Sequence, residues 1–245
     1  MDKAQACGDG AKKPILVKLV LVGKVGVGKS AMIVRFLTKR FIGEYDPNVG
    51  SIYHHHTRLE NQDVRVEILE SGGKDYIEKN DVHALWGDAF ILVYAVDDRT
   101  SFEELTGAWN HLEKVREADH PVLLLVGNKR EVGSDRVEVS KQDGIQLAEK
   151  LNCLAFHEVS TKASYQDIEF VFIEAIRETM KYKMTQRVLN GARRSSHSKI
   201  MEMVEKNVSR NRAMSSLKET IDEYCATRTE ELTRDLSRDR SSTFT

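Results

Sequence analysis

The run Gly23-Lys-Val-Gly-Val-Gly-Lys-Ser30 sets glycines, an ammonium and a hydroxyl at the spacing G-x-x-x-x-G-K-[ST]. Each residue type has a task. Glycines let successive backbone amides turn inward and form a nest for an anion. A helix that starts here directs its positive end at the same anion. The Lys29 ammonium suits the space between a β- and a γ-phosphate, and the Ser30 hydroxyl suits Mg2+. The phosphate-holding set is therefore Gly23, Lys24, Val25, Gly26, Val27, Gly28, Lys29, Ser30 and Ala31. A glycine-rich turn without a ligand shares this composition, so the flanking elements have to decide.

They favour the phosphate loop. Ile15–Val22 is a continuous apolar run, as expected of a buried parallel strand. Lys29–Thr38 carries Met32, Ile33, Phe36 and Leu37 at helical spacing. Downstream, Val64–Leu69 alternates apolar and polar residues, Ala89–Val96 and Val122–Val126 are again apolar, and Phe156–Val159 reads as a short last strand. Thr100-Ser-Phe-Glu103, Ser140-Lys-Gln-Asp143 and Ser164-Tyr-Gln-Asp167 each put a hydroxyl three residues before an acid, the pattern of a reciprocal helix cap. Strands alternating with helices imply right-handed crossovers and a mainly parallel sheet. Ligands of such sheets sit beyond the carboxyl ends of the strands.

Further along come Phe41, Tyr45-Asp-Pro-Asn48, Glu70-Ser-Gly-Gly73, Asn128-Lys-Arg-Glu131 and Ser160-Thr-Lys162. With these motifs in order, the chain resembles the Ras superfamily of small GTPases from about Ile15 to Tyr182. Arg40-Phe-Ile-Gly-Glu-Tyr45 and Arg193-Arg-Ser-Ser196 resemble the RERG-like and Ras-like branches, whose members lack a C-terminal prenylation box. The resemblance implies a P-loop NTPase fold, α/β, with a mainly parallel six-stranded sheet and helices on both faces. It implies GTP or GDP with Mg2+ as ligands, and effector or regulatory proteins bound through residues 41–50 and 70–85. On that footing Asn128 and Lys129 hold the base and brace the phosphate loop. Glu131 stands where the family uses an aspartate to accept two guanine N–H groups. Ser160, Thr161 and Lys162 contact the guanine carbonyl and ring face, Phe41 packs edge-on against the base, and Gly73 belongs to the nucleotide set. Ser30, Asn48 and Glu70 surround the metal. Lys29 stabilises transferring charge, and Lys74 occupies the position of the water-orienting glutamine.

Five positions depart from the family pattern. Val25 replaces a glycine beside the γ-phosphate and crowds the space of an attacking water or an arginine finger. Asn48 replaces a metal-ligating threonine. Glu70 and Glu131 each add a methylene to an aspartate position. Lys74 replaces glutamine, and a lysine ammonium donates hydrogen bonds without accepting any. An imperfect charged hydrogen bond at Glu131 costs about 1.5–3 kcal/mol, roughly ten- to a hundredfold in affinity. Binding spread over many amides survives that, whereas water orientation depends on few groups. The expectation is a guanine-nucleotide-binding protein with slow hydrolysis. The alternative is a non-enzymatic pseudo-GTPase scaffold. A P-loop kinase or ATPase is disfavoured by Asn128-Lys129 and by the lack of a lid region.

The remaining features bound the answer. The 245 residues are 40% apolar and 31% charged with net charge −1, which fits one domain plus an extension and gives no global pull toward nucleic acid. Expected boundaries are a disordered 1–13, the GTPase domain at 14–183 and a basic, then amphipathic, tail at 184–245. Three scattered cysteines, Cys7, Cys153 and Cys225, argue for a reduced interior and against a disulfide frame. Met1-Asp2 lacks the glycine that myristoylation needs, and Ser242-Thr-Phe-Thr245 lacks a cysteine to prenylate, so neither a myristoyl nor a prenyl anchor is expected. The expected location is the cytoplasm, with the nucleus or a membrane periphery also open. From Lys181 to Arg212 basic residues outnumber acids, so weak contact with anionic lipid and a solvated linker both remain readings. His54-His55-His56 on a strand would put two histidines on one face and one on the other, a poor metal site. Trp86 and Trp109 read as core or partly buried anchors.

Overall fold

The structure is a computed structural model that describes residues 13–42, 52–71, 81–116 and 121–208, with side chains described as far as residue 188. Strand β1 (Ile15–Val22) leads into helix α1 (Lys29–Thr38), both where the apolar spacing predicts them. Strands β2 (Ile52–Leu59) and β3 (Gln62–Glu70) form an antiparallel pair. Then follow α2 (Asp81–Trp86), β4 (Ala89–Ala95), α3 (Arg99–Arg116), β5 (Val122–Asn128), α4 (Lys141–Lys150), β6 (Ala155–Glu158) and α5 (Tyr165–Val208). The six-stranded sheet has the order β2-β3-β1-β4-β5-β6, and every pairing except β2 with β3 is parallel.

Both faces of the sheet are covered, because successive side chains of a strand point to opposite faces. Val17, Leu19 and Leu21 of β1 pack with Met32, Ile33 and Phe36 of α1 and with Ile168, Val171 and Phe172 of α5. Val20 and Val22 pack on the other side with Phe102, Leu105 and Leu112 of α3 and Leu147 of α4. Trp86 and Trp109 are half-buried against this second core, and the Lys18 ammonium lies 5.0 Å from the Trp86 ring centre.

The predicted caps fare unequally. Ser140 and Asp143 form the reciprocal box at α4. The Ser164 hydroxyl accepts from the Asp167 amide at 3.1 Å. Thr100 caps nothing: α3 begins at Arg99, and its free Ser101 amide donates to the Asp98 carboxylate at 3.0 Å. A carboxylate two residues earlier caps the helix start instead of the hydroxyl and suits the positive helix end better.

The chain divides into two units, Met1–Tyr182 and Lys183–Thr245, and the range of α5 includes that division. Among the described residues no helix is long and apolar enough to cross a membrane. The loops after β1, β4, β5 and β6 leave the sheet at its carboxyl edge, where the sequence motifs fall.

Candidate functional site

The phosphate loop is shaped by glycines with left-handed backbones. Gly26 has φ 89° and Gly28, the N-cap of α1, has φ 101°. A Cβ on Gly28 would fall on the Asn128 side-chain nitrogen, so glycine is required there by space as well as by conformation. The N-cap supplies no side-chain acceptor, and the first turn of α1 carries no acid. The first amides of the helix are thus left to an anion.

Lys29 is 3% exposed, and its Nζ donates to the carbonyls of Gly23 at 2.8 Å and Lys24 at 2.9 Å. Two of three ammonium protons are spent on holding the lysine inside the loop, which leaves one for a ligand. Burial lowers its pKa, and the charge of Glu70 acts in the opposite sense. The Ser30 hydroxyl donates to Glu70 Oε1 at 2.5 Å in a buried setting. The second oxygen, Glu70 Oε2, is buried without a hydrogen-bond partner. A serine hydroxyl and an orphaned carboxylate oxygen beside a phosphate nest are hard donors of the kind Mg2+ takes, since that ion keeps waters and phosphate oxygens and uses only one or two carboxylates. Among the described residues no cluster of three or more His, Cys, Asp or Glu is arranged for a metal.

Asn128 joins the loops. Its Nδ2 donates to the Val27 carbonyl at 2.8 Å, and its Oδ1 accepts from the Thr161 amide at 3.1 Å and hydroxyl at 2.8 Å. One buried amide therefore ties the phosphate loop, the end of β5 and the loop after β6. The Ser160 hydroxyl accepts from the Ala163 amide at 2.9 Å. Lys129 has φ 68° and an ammonium 3.2 Å from Asp97 Oδ1. Glu131 and Lys162 are exposed, and Phe41 is 40% exposed at the foot of α1. Val25 stands out at 74% exposure on the loop. Asn48, Gly73 and Lys74 lie outside the described residues, as do 43–50 and 72–80 of the expected partner surfaces.

Two residues of the site escape the sequence motifs. Asp97 and Asp98 follow β4 directly, and Asp98 reaches the Lys24 ammonium at 3.0 Å. Partial burial opposes the Asp98 charge, but the Lys24 ammonium and the Ser101 and Thr100 amides prevail and hold its carboxyl below the ordinary range. The usable signal was positional: two acids at the carboxyl end of a buried strand. The histidines do not converge. His54 and His56 are exposed on one face of edge strand β2, while His55 turns inward against Phe36, with ring centres 4.9 Å apart. A carboxylate is near, since Glu67 Oε1 lies 4.0 Å from His54 Nδ1; it is also 3.2 Å from Arg65, which takes up its charge.

A profile of the Ras family matches residues 18–181. The chain belongs to the Ras family. Among curated relatives it is 40% identical over 190 residues to the Ras-related and estrogen-regulated growth inhibitor of Homo sapiens, covering 78% of this chain and 94% of that protein. It is 38% identical over 174 residues to Ras-like protein family member 12 of Mus musculus, covering 69% and 63%. With Ras-like protein family member 11A of Homo sapiens it shares 37% identity over 173 residues, covering 67% and 71%. The protein is thus a Ras-like small GTPase, a guanine-nucleotide-binding signalling protein of a GTP hydrolase family whose members work with Mg2+ and with regulator and effector proteins.

Proposed function

We propose that this Ras family member holds guanine nucleotide firmly, hydrolyses GTP slowly, and signals through protein partners that bias its state. The carrying observation is the preassembled network in which Lys29 and Asn128 hold the phosphate loop from its two ends. The side chains of Val25, Glu70 and Glu131 make none of these hydrogen bonds. Retention therefore survives where turnover does not.

Each residue has a defined task. Gly26 to Ser30 present amides to the phosphates, and Lys29 adds its remaining proton. Ser30 and Glu70 would hold Mg2+, and Asn48, outside the described residues, is the third position assigned to the ion. When bound, the ion neutralises charge shared between β- and γ-phosphates. Asn128 and Thr161 frame the base with Ser160, Lys129, Lys162 and Phe41, and Glu131 accepts from guanine with longer reach. Val25 projects into solvent from the loop, where it obstructs an approaching arginine. Lys74 offers an attacking water no acceptor.

Denaturing the purified protein and identifying the released nucleotide tests the binding half. GDP or GTP at near-equimolar yield is expected. An empty pocket favours the scaffold reading instead. Single-turnover GTP cleavage tests the other half: wild type is slow, and Lys74→Gln with Val25→Gly accelerates it by about tenfold or more, given what one positioned group is worth in such transfers. Rapid cleavage by the wild type removes the claim of weak hydrolysis.

A further inference from the structure

Two adjacent acids at the end of β4 each reach a lysine of a different ligand loop. Asp98 lies 3.0 Å through Oδ2 and 3.3 Å through Oδ1 from Lys24 Nζ in the phosphate loop. Asp97 Oδ1 lies 3.2 Å from Lys129 Nζ in the base loop. Those loops leave from β1 and β5, and β4 is the strand between them. Its carboxyl end is the natural place from which one dipeptide touches both.

The Asp98 contact is backed by others, while the Asp97 contact is an ion pair whose oxygen makes no hydrogen bond among the described residues. Asp98 Oδ1 also accepts from the Ser101 amide at 3.0 Å, and the Asp98 amide donates to the Ala95 carbonyl at 3.0 Å. The Lys24 carbonyl accepts from Lys29 Nζ at 2.9 Å. A chain of contacts therefore runs from the start of α3 through Asp98 and Lys24 to the buried ammonium of the phosphate nest. On the other side Lys129 holds a positive φ that costs free energy for a residue with a side chain, and its pairing with Asp97 offsets that cost.

We infer that Asp97 and Asp98 form a two-pronged clasp that fixes the phosphate loop against the base loop and so slows release of the nucleotide. They are positioning residues, acting through Lys129 and Lys24. The inference rests on the guanine-nucleotide reading above.

The experiment loads full-length protein with a fluorescent GDP analogue and follows its release against excess GDP. Wild type is compared with Asp98→Asn, Lys24→Met and the double variant, and separately with Asp97→Asn. Asparagine keeps the cap on Ser101, so Asp98→Asn removes only the ion pair. The paired side chains are 35% and 32% exposed, so screening is substantial and release should quicken roughly two- to fivefold. The double variant should release no faster than either single one, and Asp97→Asn should show a change of similar size. Raised salt should speed the wild type more than Asp98→Asn, which has no pair left to screen. A merely structural role would lower the melting temperature without this non-additivity or this loss of salt dependence. Wild-type release rates in the single variants, or additive effects in the double, overturn the clasp and leave nucleotide binding standing. A wild type that takes up no GDP analogue overturns both. If Asp98→Asn does not fold, Lys24→Met decides: an unchanged rate overturns the clasp and a faster one supports it.

Discussion

At the scale of single residues, Lys29 shows how a site stores electrostatic demand. Its ammonium is 3% exposed and held by two carbonyls, with burial lowering its pKa against the pull of Glu70. Bound phosphates add negative charge beside it and raise that pKa again. Nucleotide binding therefore takes up protons on the alkaline side. Affinity is full below the pKa of Lys29 in the free protein and falls as pH rises through it. Calorimetry of GDP binding in two alkaline buffers of different ionisation enthalpy should register this uptake, and Lys29→Met should abolish both the uptake and most of the affinity. Proton release on binding would contradict the assignment. The places of Lys29, Ser30 and Asn128 at one edge of the sheet were legible because their motifs are local strings joined to recognisable elements. The contact of Ser30 with Glu70 joins residues 40 apart, and that of Lys24 with Asp98 joins residues 74 apart. Distances of that kind are set by which strands lie side by side, and a string does not carry them.

At the scale of elements, apolar periodicity located β1 and α1 because both are buried along one face or on both. It was weaker for β2, an edge strand whose outward residues are Ile52, His54, His56 and Arg58. Such a strand owes its place to ladder hydrogen bonds with β3 rather than to burial, so hydropathy carries little of the signal. The reading of Thr100 as a cap failed for a related reason: the helix starts earlier, at Arg99, and Asp98 takes the Ser101 amide with a carboxylate whose charge a helix start favours. Ser140 had no such rival. Its hydroxyl accepts from the Asp143 amide at 3.1 Å, and the Asp143 carboxylate accepts in return from the Ser140 amide at 3.0 Å. Asp143 also meets Arg99 at the start of α3, so two helix starts share one carboxylate. Ser140→Ala should cost about 1 kcal/mol in denaturant unfolding, the usual worth of a lost cap. Ser140 lies away from the phosphate and base loops, so GDP release should stay at the wild-type rate. A faster release would mean that α4 is coupled to the site by a route other than the contacts described.

At the scale of the whole molecule, the sheet order places β1, β4, β5 and β6 side by side with their carboxyl ends together, so four loops far apart in sequence meet at one edge of the sheet, where the proposed nucleotide site lies. None of those loops is a stable structure alone. The Asn128 side chain, for example, is satisfied only when the phosphate loop and the loop after β6 are both in place. The ligand therefore recognises the folded chain and has no counterpart in the unfolded one, and its binding free energy adds to stability by mass action. At a thousandfold excess of GDP over Kd that amounts to about 4.1 kcal/mol, and at a hundredfold excess about 2.7 kcal/mol. For a domain of this size the larger figure corresponds to a rise in melting temperature of about 8–16 °C. The rise should grow with the logarithm of GDP concentration, shrink when Mg2+ is chelated, and be absent with ATP. The dependence on Mg2+ follows from the Ser30 hydroxyl and from the Glu70 oxygen that has no hydrogen-bond partner among the described residues. Equal stabilisation by ATP would show that the base loops do not discriminate. A rise indifferent to chelation would show that Lys29 and the loop amides hold the phosphates unaided, with Glu70 turned to Ser30 rather than to an ion.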